Sequence, residues 1–418
     1  MFDTDGKRYI DMAGGAVVVA IGHGDGTVAD AAAAQMRKVS YAHGTQFTSR
    51  PLEDYAARVS ARLPLDQARI YPVSGGSEAV ESALKLARTY HLARGHDTRH
   101  RVIARHGSYH GNSLGALDAS GRPVLREPYL PWLGRAAHVA PPYEYRCSLP
   151  GHPDGCGRAH AALLDETIEA LGPETVSCFI AEPISGAGLA AAVPSDDYWP
   201  AIAEVCRRHG VLLVADEVMT GFGRTGRWFA CEHWSLKPDI LVAAKGASSG
   251  YWPLGFAACS RNVYDAVAGS GFVHGFTHSH SVSGAVVGLA VLDRLESLDL
   301  VEASRSKGEC LRDRLVNALG DHPNVGDVRG RGLQVGIELV RDRATKAPFS
   351  RSDKITERIV ATAKEAGVLL YPATGIADGT NGDALLLGPP FVIADGEIVE
   401  AVDRVAGAIT SVMAGTSR

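Results

Sequence analysis

Asp216 and Lys245 are the residues of this chain best placed to do chemistry together. Each closes a short apolar run: residues 211–215 lead into Asp216, and residues 240–244 lead into Lys245. A continuous apolar run of about five residues suits a strand buried on both faces, as in a parallel sheet. Ligands of such sheets collect at the carboxyl ends of the strands. An acid and an amine delivered to that edge match a cofactor with a basic ring nitrogen at one end and an aldehyde at the other. Pyridoxal phosphate is such a molecule: a lysine forms its Schiff base and an aspartate holds its pyridinium proton. Over these few residues, a buried strand-end ion pair in another α/β protein would look the same.

Other segments point to the same edge. Residues 71–88 read as a short strand, a Gly-Gly-Ser turn and a helix, with Val80, Ala83, Leu84 and Ala87 on one helical face. Gly75 and Gly76 let the backbone approach a ligand closely. Ser77 and the free N–H groups of the helix start can hold a phosphate, although a plain helix cap explains Ser77 equally well. Residues 176–188 contain another buried strand, which carries Glu182 to the cleft. Strand alternation after Asp216 puts Val218 on the same side. Residues 201–210 read as a helix closed by Gly210, completing a right-handed β-α-β unit.

The composition frames these motifs. The 418 residues are 45% hydrophobic and 21% charged, with a net charge of −5. This is a globular composition long enough for two domains. It gives no sign of a nucleic-acid or membrane-surface partner. The apolar stretch at 13–21 is too short to span a bilayer and lacks the flanks of an export signal. Seven scattered cysteines fit a reducing cytoplasm better than a disulfide framework. No internal repeat or low-complexity segment is visible.

D-E-V-M-T-G-F-G-R-T-G (216–226), followed by P-D-I-L-V-A-A-K-G (238–246), resembles the signature of the class III pyridoxal-phosphate aminotransferases. G-S-E-A-V-E-S-A-L-K (76–85), R-V-I-A-R-H-G-S-Y-H-G-N-S-L-G (101–115), S-S-G-Y-W-P-L-G (248–255) and G-F-T-H (275–278) extend the likeness over nearly the whole chain. The resemblance implies the fold of aspartate aminotransferase, fold type I. That is an α/β architecture with a large domain around a mainly parallel seven-stranded sheet, plus a smaller α/β domain. Residues 1–45 are then an N-terminal part of the small domain, 46–290 the large domain and 291–418 the C-terminal small domain.

The resemblance also assigns roles. Lys245, Asp216 and Glu182 would be catalytic, with Glu182 near the cofactor and helping to govern dual-substrate recognition. Gly75, Gly76 and Ser77 would hold the phosphate. Tyr109 would stack on one ring face, with His110 supporting it or satisfying the loop backbone, and Val218 would press on the other. Thr277 would reach the phosphate of a second subunit, which implies a homodimer or a tetramer. The expected reaction moves an amino group from an amine or amino acid to a keto acid or aldehyde, in two ping-pong halves. Decarboxylation, racemisation and aminomutation need the same residues and stay open, as does a non-catalytic cofactor-binding protein.

Several positions depart from the family pattern. Val80 stands where Asn is common and Met219 where Gln is common. His278 and His280-Ser281 replace a Tyr and a His-Pro pair. Many relatives bind a substrate carboxylate through an Arg in the loop corresponding to 371–388, which here contains no Arg or Lys. This leans towards an amine or ω-amino substrate. Relatives also carry some tens of residues before the segment F-D-T-D-G-K-R-Y (2–9), so the chain starts abruptly by that comparison.

Local patterns complete the reading. Asp5-Gly6 marks a hairpin turn, 27–38 a helix and 43–51 a loop near the active site. Residues 330–340 and 384–393 resemble strands of the small domain. The insert 140–160 is loop-like from its Pro and Gly content. It contains Cys147, His152, Cys156 and His160, residue types that bind zinc. Their spacing matches none of the usual fingers, so the expectation is a surface loop and no metal.

Overall fold

The computed structural model describes residues 1–150, 152 and 155–415. Gly151, Pro153 and Asp154, a short part of the 140–160 insert, lie outside the described residues, as do residues 416–418.

The strands in chain order are β1 (Ile10–Asp11), β2 (Arg69–Val73), β3 (Arg101–Arg105), β4 (Ala136–Val139), β5 (Val176–Ala181), β6 (Leu212–Asp216) and β7 (Ile240–Ala243). They continue with β8 (Gly255–Cys259), β9 (Val325–Arg331), β10 (Gln334–Leu339), β11 (Val368–Leu369), β12 (Tyr371–Thr374) and β13 (Asp383–Leu387). Seven of them form one sheet in the order β2-β8-β7-β6-β5-β3-β4. Only β8 runs against its neighbours. This is the mainly parallel seven-stranded sheet expected from the motifs.

The apolar runs sit in this sheet because both faces are covered. Leu212 and Val214 of β6 turn to one side, against Val80, Ala83 and Ala87 of the Gly76–Ala93 helix. Leu213 and Ala215 turn to the other, into the cluster holding Trp199, Ile202 and Phe229. The alternation makes β6 a wall between two apolar layers, and it leaves only the strand ends for polar chemistry. The Tyr198–His209 helix that leads into β6 ends at Gly210, whose φ of 62° closes it in the left-handed conformation.

A second sheet, β12-β13-β10-β9, is antiparallel, and β1 pairs in parallel with β11 near the other end of the chain. Two strand expectations are corrected here. Residues 330–340 are not one strand: the chain reverses at Gly332 (φ 53°), so β9 and β10 form a hairpin. The run 384–393 is a strand only as far as Leu387. Gly388, Pro389 and Pro390 end it, since proline cannot supply the ladder N–H. Among the described residues, no helix is long and apolar enough to cross a membrane.

Candidate active site

The carboxyl ends of β2, β3, β5, β6 and β7 open on one edge of the large sheet. Ser74 to Ser77, Tyr109 and His110, Glu182, Asp216 and Lys245 follow those ends and line a common cavity of about 310 Å³. Parallel strands force this convergence, because each chain segment leaves the sheet on the same side.

Asp216 ends β6 almost completely buried. Its Oδ2 accepts a hydrogen bond of 2.6 Å from Nδ1–H of His110, which is also buried, and its Oδ1 accepts from the Val218 N–H at 3.0 Å. His110 therefore steadies the aspartate rather than Tyr109. Val218 lines the cavity, and a turn rather than the strand puts it there. β6 stops at Asp216, so a turn clamped by the carboxylate places Val218, not strand alternation.

Lys245 lies two residues beyond β7. Its φ of +39° is unusual for a side-chain-bearing residue, a strained conformation of the kind held at functional sites. Nζ donates to the Ala16 carbonyl at 2.8 Å. Burial pushes the Lys245 pKa down to about 8, against the opposing pull of Asp216. Glu182 is buried, and burial raises its pKa. Its Oε1 accepts from the Gly186 N–H at 3.0 Å, while Oε2 has no hydrogen-bond partner among the described residues.

The Gly76–Ala93 helix starts from Gly75 at the cavity wall. Its first-turn N–H groups have no carbonyl partner within the helix, and they form the positive end of its dipole. Ser77 lies inside the first turn rather than at the cap. Its Oγ accepts from the Asn112 N–H at 3.1 Å, tying the Tyr109 loop to the helix. Gly76 permits a close approach: a Cβ there would lie 3.0 Å from Val218 Cγ1. Tyr109 is half-buried beside this cradle. Thr277 is exposed and does not line the cavity within one chain.

Three residues without an assigned role in the sequence complete the architecture. Glu217, next to Asp216, accepts from the Ala230 and Cys231 N–H groups at 3.0 and 2.8 Å and from the Thr220 hydroxyl. It fixes the loop that leaves β6. Arg224 is buried and donates to the carbonyls of Leu333, Pro389 and Val19 at 2.9, 2.7 and 2.9 Å. The arginine in G-F-G-R-T-G is thus a tie between the cavity loop, the β9–β10 turn and the N-terminal segment. Arg122 borders an adjoining cavity together with Tyr143, Gly188 and Thr374. It lies within electrostatic reach of Tyr371, Glu182 and Tyr109. Its one side-chain hydrogen bond among the described residues runs from Nη2 to the Thr374 carbonyl, at 3.3 Å.

The donor set suits pyridoxal phosphate. A helix start and two glycines fit a phosphate, a buried carboxylate fits a pyridinium nitrogen, and an amine of lowered pKa fits an aldehyde carbon. A family model for class-III aminotransferases matches residues 1–409. The chain belongs to the class III aminotransferases. It is 39% identical over 404 residues to the uncharacterized aminotransferase YodT of Bacillus subtilis, covering 96% of this chain and 91% of that one.

Among solved structures, an (S)-enantioselective omega-transaminase from Thermomicrobium roseum superposes with a TM-score of 0.91 at 37% identity. That match covers 99% of this chain and 90% of the other. The omega transaminase of Pseudomonas jessenii, solved in complex with PMP, gives 0.92 at 31% identity, again over 99% and 90%. The protein is therefore a class III aminotransferase of fold type I, dependent on pyridoxal phosphate. The alternative reactions on this scaffold are not favoured.

Proposed function

We propose that this aminotransferase takes an amine or ω-amino donor and a keto acid acceptor, with Lys245 as the attachment point and proton carrier. The observation that carries this reading is the convergence of Lys245, Asp216 and the Gly75–Ser77 helix start on one cavity. The bound cofactor supplies an electrophilic carbon and an electron-accepting ring. Asp216, held by His110, keeps a proton on the ring nitrogen. Lys245 Nζ would hold the cofactor's aldehyde carbon and, as a free amine, would carry the proton at the substrate Cα. Its lowered pKa makes the neutral base accessible near physiological pH. Tyr109 and Val218 hold the ring between them, and Gly75, Gly76 and Ser77 bind the phosphate.

Substrate choice turns on Arg122, at the adjoining cavity, and Glu182, at the cofactor cavity. The loop 371–388 has no cationic side chain, but Arg122 reaches it from elsewhere in the chain and has donors to spare. A keto acid carboxylate bound there would find a charge-assisted fork. Glu182, buried at the cofactor cavity within electrostatic reach of Arg122, can serve the acid and the amine halves in turn. The omega-transaminase likeness supports the amine side of the pair.

The second subunit follows from the phosphate. A helix start supplies donors from one side only, and a partly dry dianion needs more. Thr277 sits on an exposed loop beside a second loop, where Tyr41, Phe47 and Val273 leave apolar surface in water. A two-fold dimer would cover that surface and deliver Thr277 to the partner's phosphate. All seven cysteines are unpaired, which suits a reducing cytoplasm. A donor screen with pyruvate as acceptor, in the parent and in Lys245→Ala, tests the whole reading. Amine-dependent alanine formation in the parent, without carbon dioxide release and absent from the variant, is expected. Near-normal turnover by the variant would overturn the assignment.

A further inference from the structure

Away from the cofactor cavity, the 140–160 insert brings three zinc-type side chains together, with a fourth beside one of them. Donor atoms of Cys147, His152 and Cys156 all lie within 4.8 Å of one another. His160 stands next to this group, with Nε2 3.6 Å from Cys147 Sγ. Zinc bonds to sulfur at about 2.3 Å and to imidazole nitrogen at about 2.05 Å, so a tetrahedral sulfur–nitrogen edge is about 3.6 Å. The Cys147–His160 separation already has that length.

The elements that supply the donors are fixed from opposite directions. Cys156 precedes the Gly157–Leu171 helix, and His160 lies in that helix; both are buried. Cys147 follows a short turn whose residues are tied elsewhere. Tyr143 donates to Glu338 Oε2, and Arg146 donates to Glu338 Oε1 at 2.7 Å and to the Lys346 carbonyl at 2.8 Å. Glu144 stands behind the cluster, 3.5 Å from Cys156 Sγ and 3.6 Å from His152 Nδ1. It also accepts from the Ser195 N–H at 3.2 Å, so it is oriented independently of any metal.

We propose that Cys147, His152, Cys156 and His160 bind one zinc ion, which clips the end of the insert to the start of the Gly157–Leu171 helix. Each thiol gives its proton to solvent on binding, so two thiolates neutralise the dication. With all four positions taken by protein, no site is left for water or substrate, and the ion is structural. The insert is then stapled at both ends, by the metal at one and by Glu338 of β10 at the other. The unusual spacing is no obstacle, because a loop between two anchored ends can present ligands at intervals that a zinc finger does not use.

The test uses the tag-free holoenzyme from zinc-replete cells. Elemental analysis should find zinc equimolar with chain, and a mercurial thiol reagent should release it to a colorimetric chelator. Replacement by Co²⁺ should give the thiolate charge-transfer band and the intense visible absorption of a tetrahedral site. Cys147→Ser and Cys156→Ser should each lose the zinc and lower the melting temperature, while Cys310→Ser, on the Leu300–Leu319 helix and outside the cluster, keeps both. The measurements on the parent stand even if a serine variant does not fold. Parent protein without zinc, a Cys147–Cys156 disulfide in freshly isolated protein, or full zinc retention by the double serine variant would each overturn the proposal.

Discussion

Replacing Arg122 by leucine separates recognition of the acceptor from the chemistry at Lys245. The Arg122 side chain makes a single hydrogen bond to protein, to the Thr374 carbonyl, and no carboxylate lies within ion-pair distance among the described residues. Its remaining donors are therefore free for a substrate carboxylate. A hydrogen bond to a charged group is worth about 1.5–3 kcal/mol, which is about a 10- to 150-fold change in an equilibrium constant. Arg122→Leu should raise the KM for pyruvate by about that factor, while kcat/KM for an uncharged aldehyde stays within a few-fold. Arg122→Lys should fall between, because it keeps the charge and loses the planar fork. The assay compares steady-state kinetics with the two acceptors at fixed donor and cofactor, with near-ultraviolet circular dichroism checking the cavity. Equal losses with pyruvate and aldehyde would show that Arg122 supports the loop 371–388 and binds no carboxylate. A pyruvate KM within twofold of the parent would refute the reasoning outright.

Further outcomes follow from the same geometry. Asp216→Asn should keep the cofactor and lose about a hundredfold or more in rate, in line with removing one preorganised electrostatic group; a rate within a few-fold of the parent would dissociate Asp216 from the ring nitrogen. His110→Phe removes a buried hydrogen bond to the Asp216 carboxylate, at about 1.5–3 kcal/mol, and should shift the absorbance–pH profile of bound cofactor as well as slow turnover; an unmoved profile would leave His110 a packing residue. The Lys245 pKa of about 8 fixes a sign: the amine is neutral above it, so cofactor uptake by the apoprotein should quicken as pH rises through about 8 and then level off. A rate still climbing towards the ordinary lysine value, about 10.4, would contradict the burial argument. Thr277→Ala should weaken cofactor retention without disturbing the fold, and dilution to monomer should do the same; a monomer in sedimentation that retained cofactor fully would rule out the shared site.

The strand-end chemistry was legible because it is local. Residues 211–216 and 240–245 carry both the apolar run that buries a strand and the polar residue that ends it. Parallel strands then place every such end on one edge. The Gly-Gly-Ser turn is equally local, since a helix start binds anions wherever it lies. Tertiary structure decided the partners. His110 and Asp216 are 106 positions apart, Arg122 and Thr374 are 252 apart, and Arg224 collects carbonyls from three distant segments. A residue type announces a capacity to donate or accept, but a hydrogen bond needs a distance, and loop conformation sets that distance only after the sheets have packed. The same holds for the hairpin at Gly332, where a stretch that resembled one strand hid a reversal that only antiparallel pairing reveals, and for Val218, carried to the cavity by a clamped turn. Sequence determined which groups stand at the strand ends; packing determined which of them meet, because contact depends on distances that no local pattern encodes.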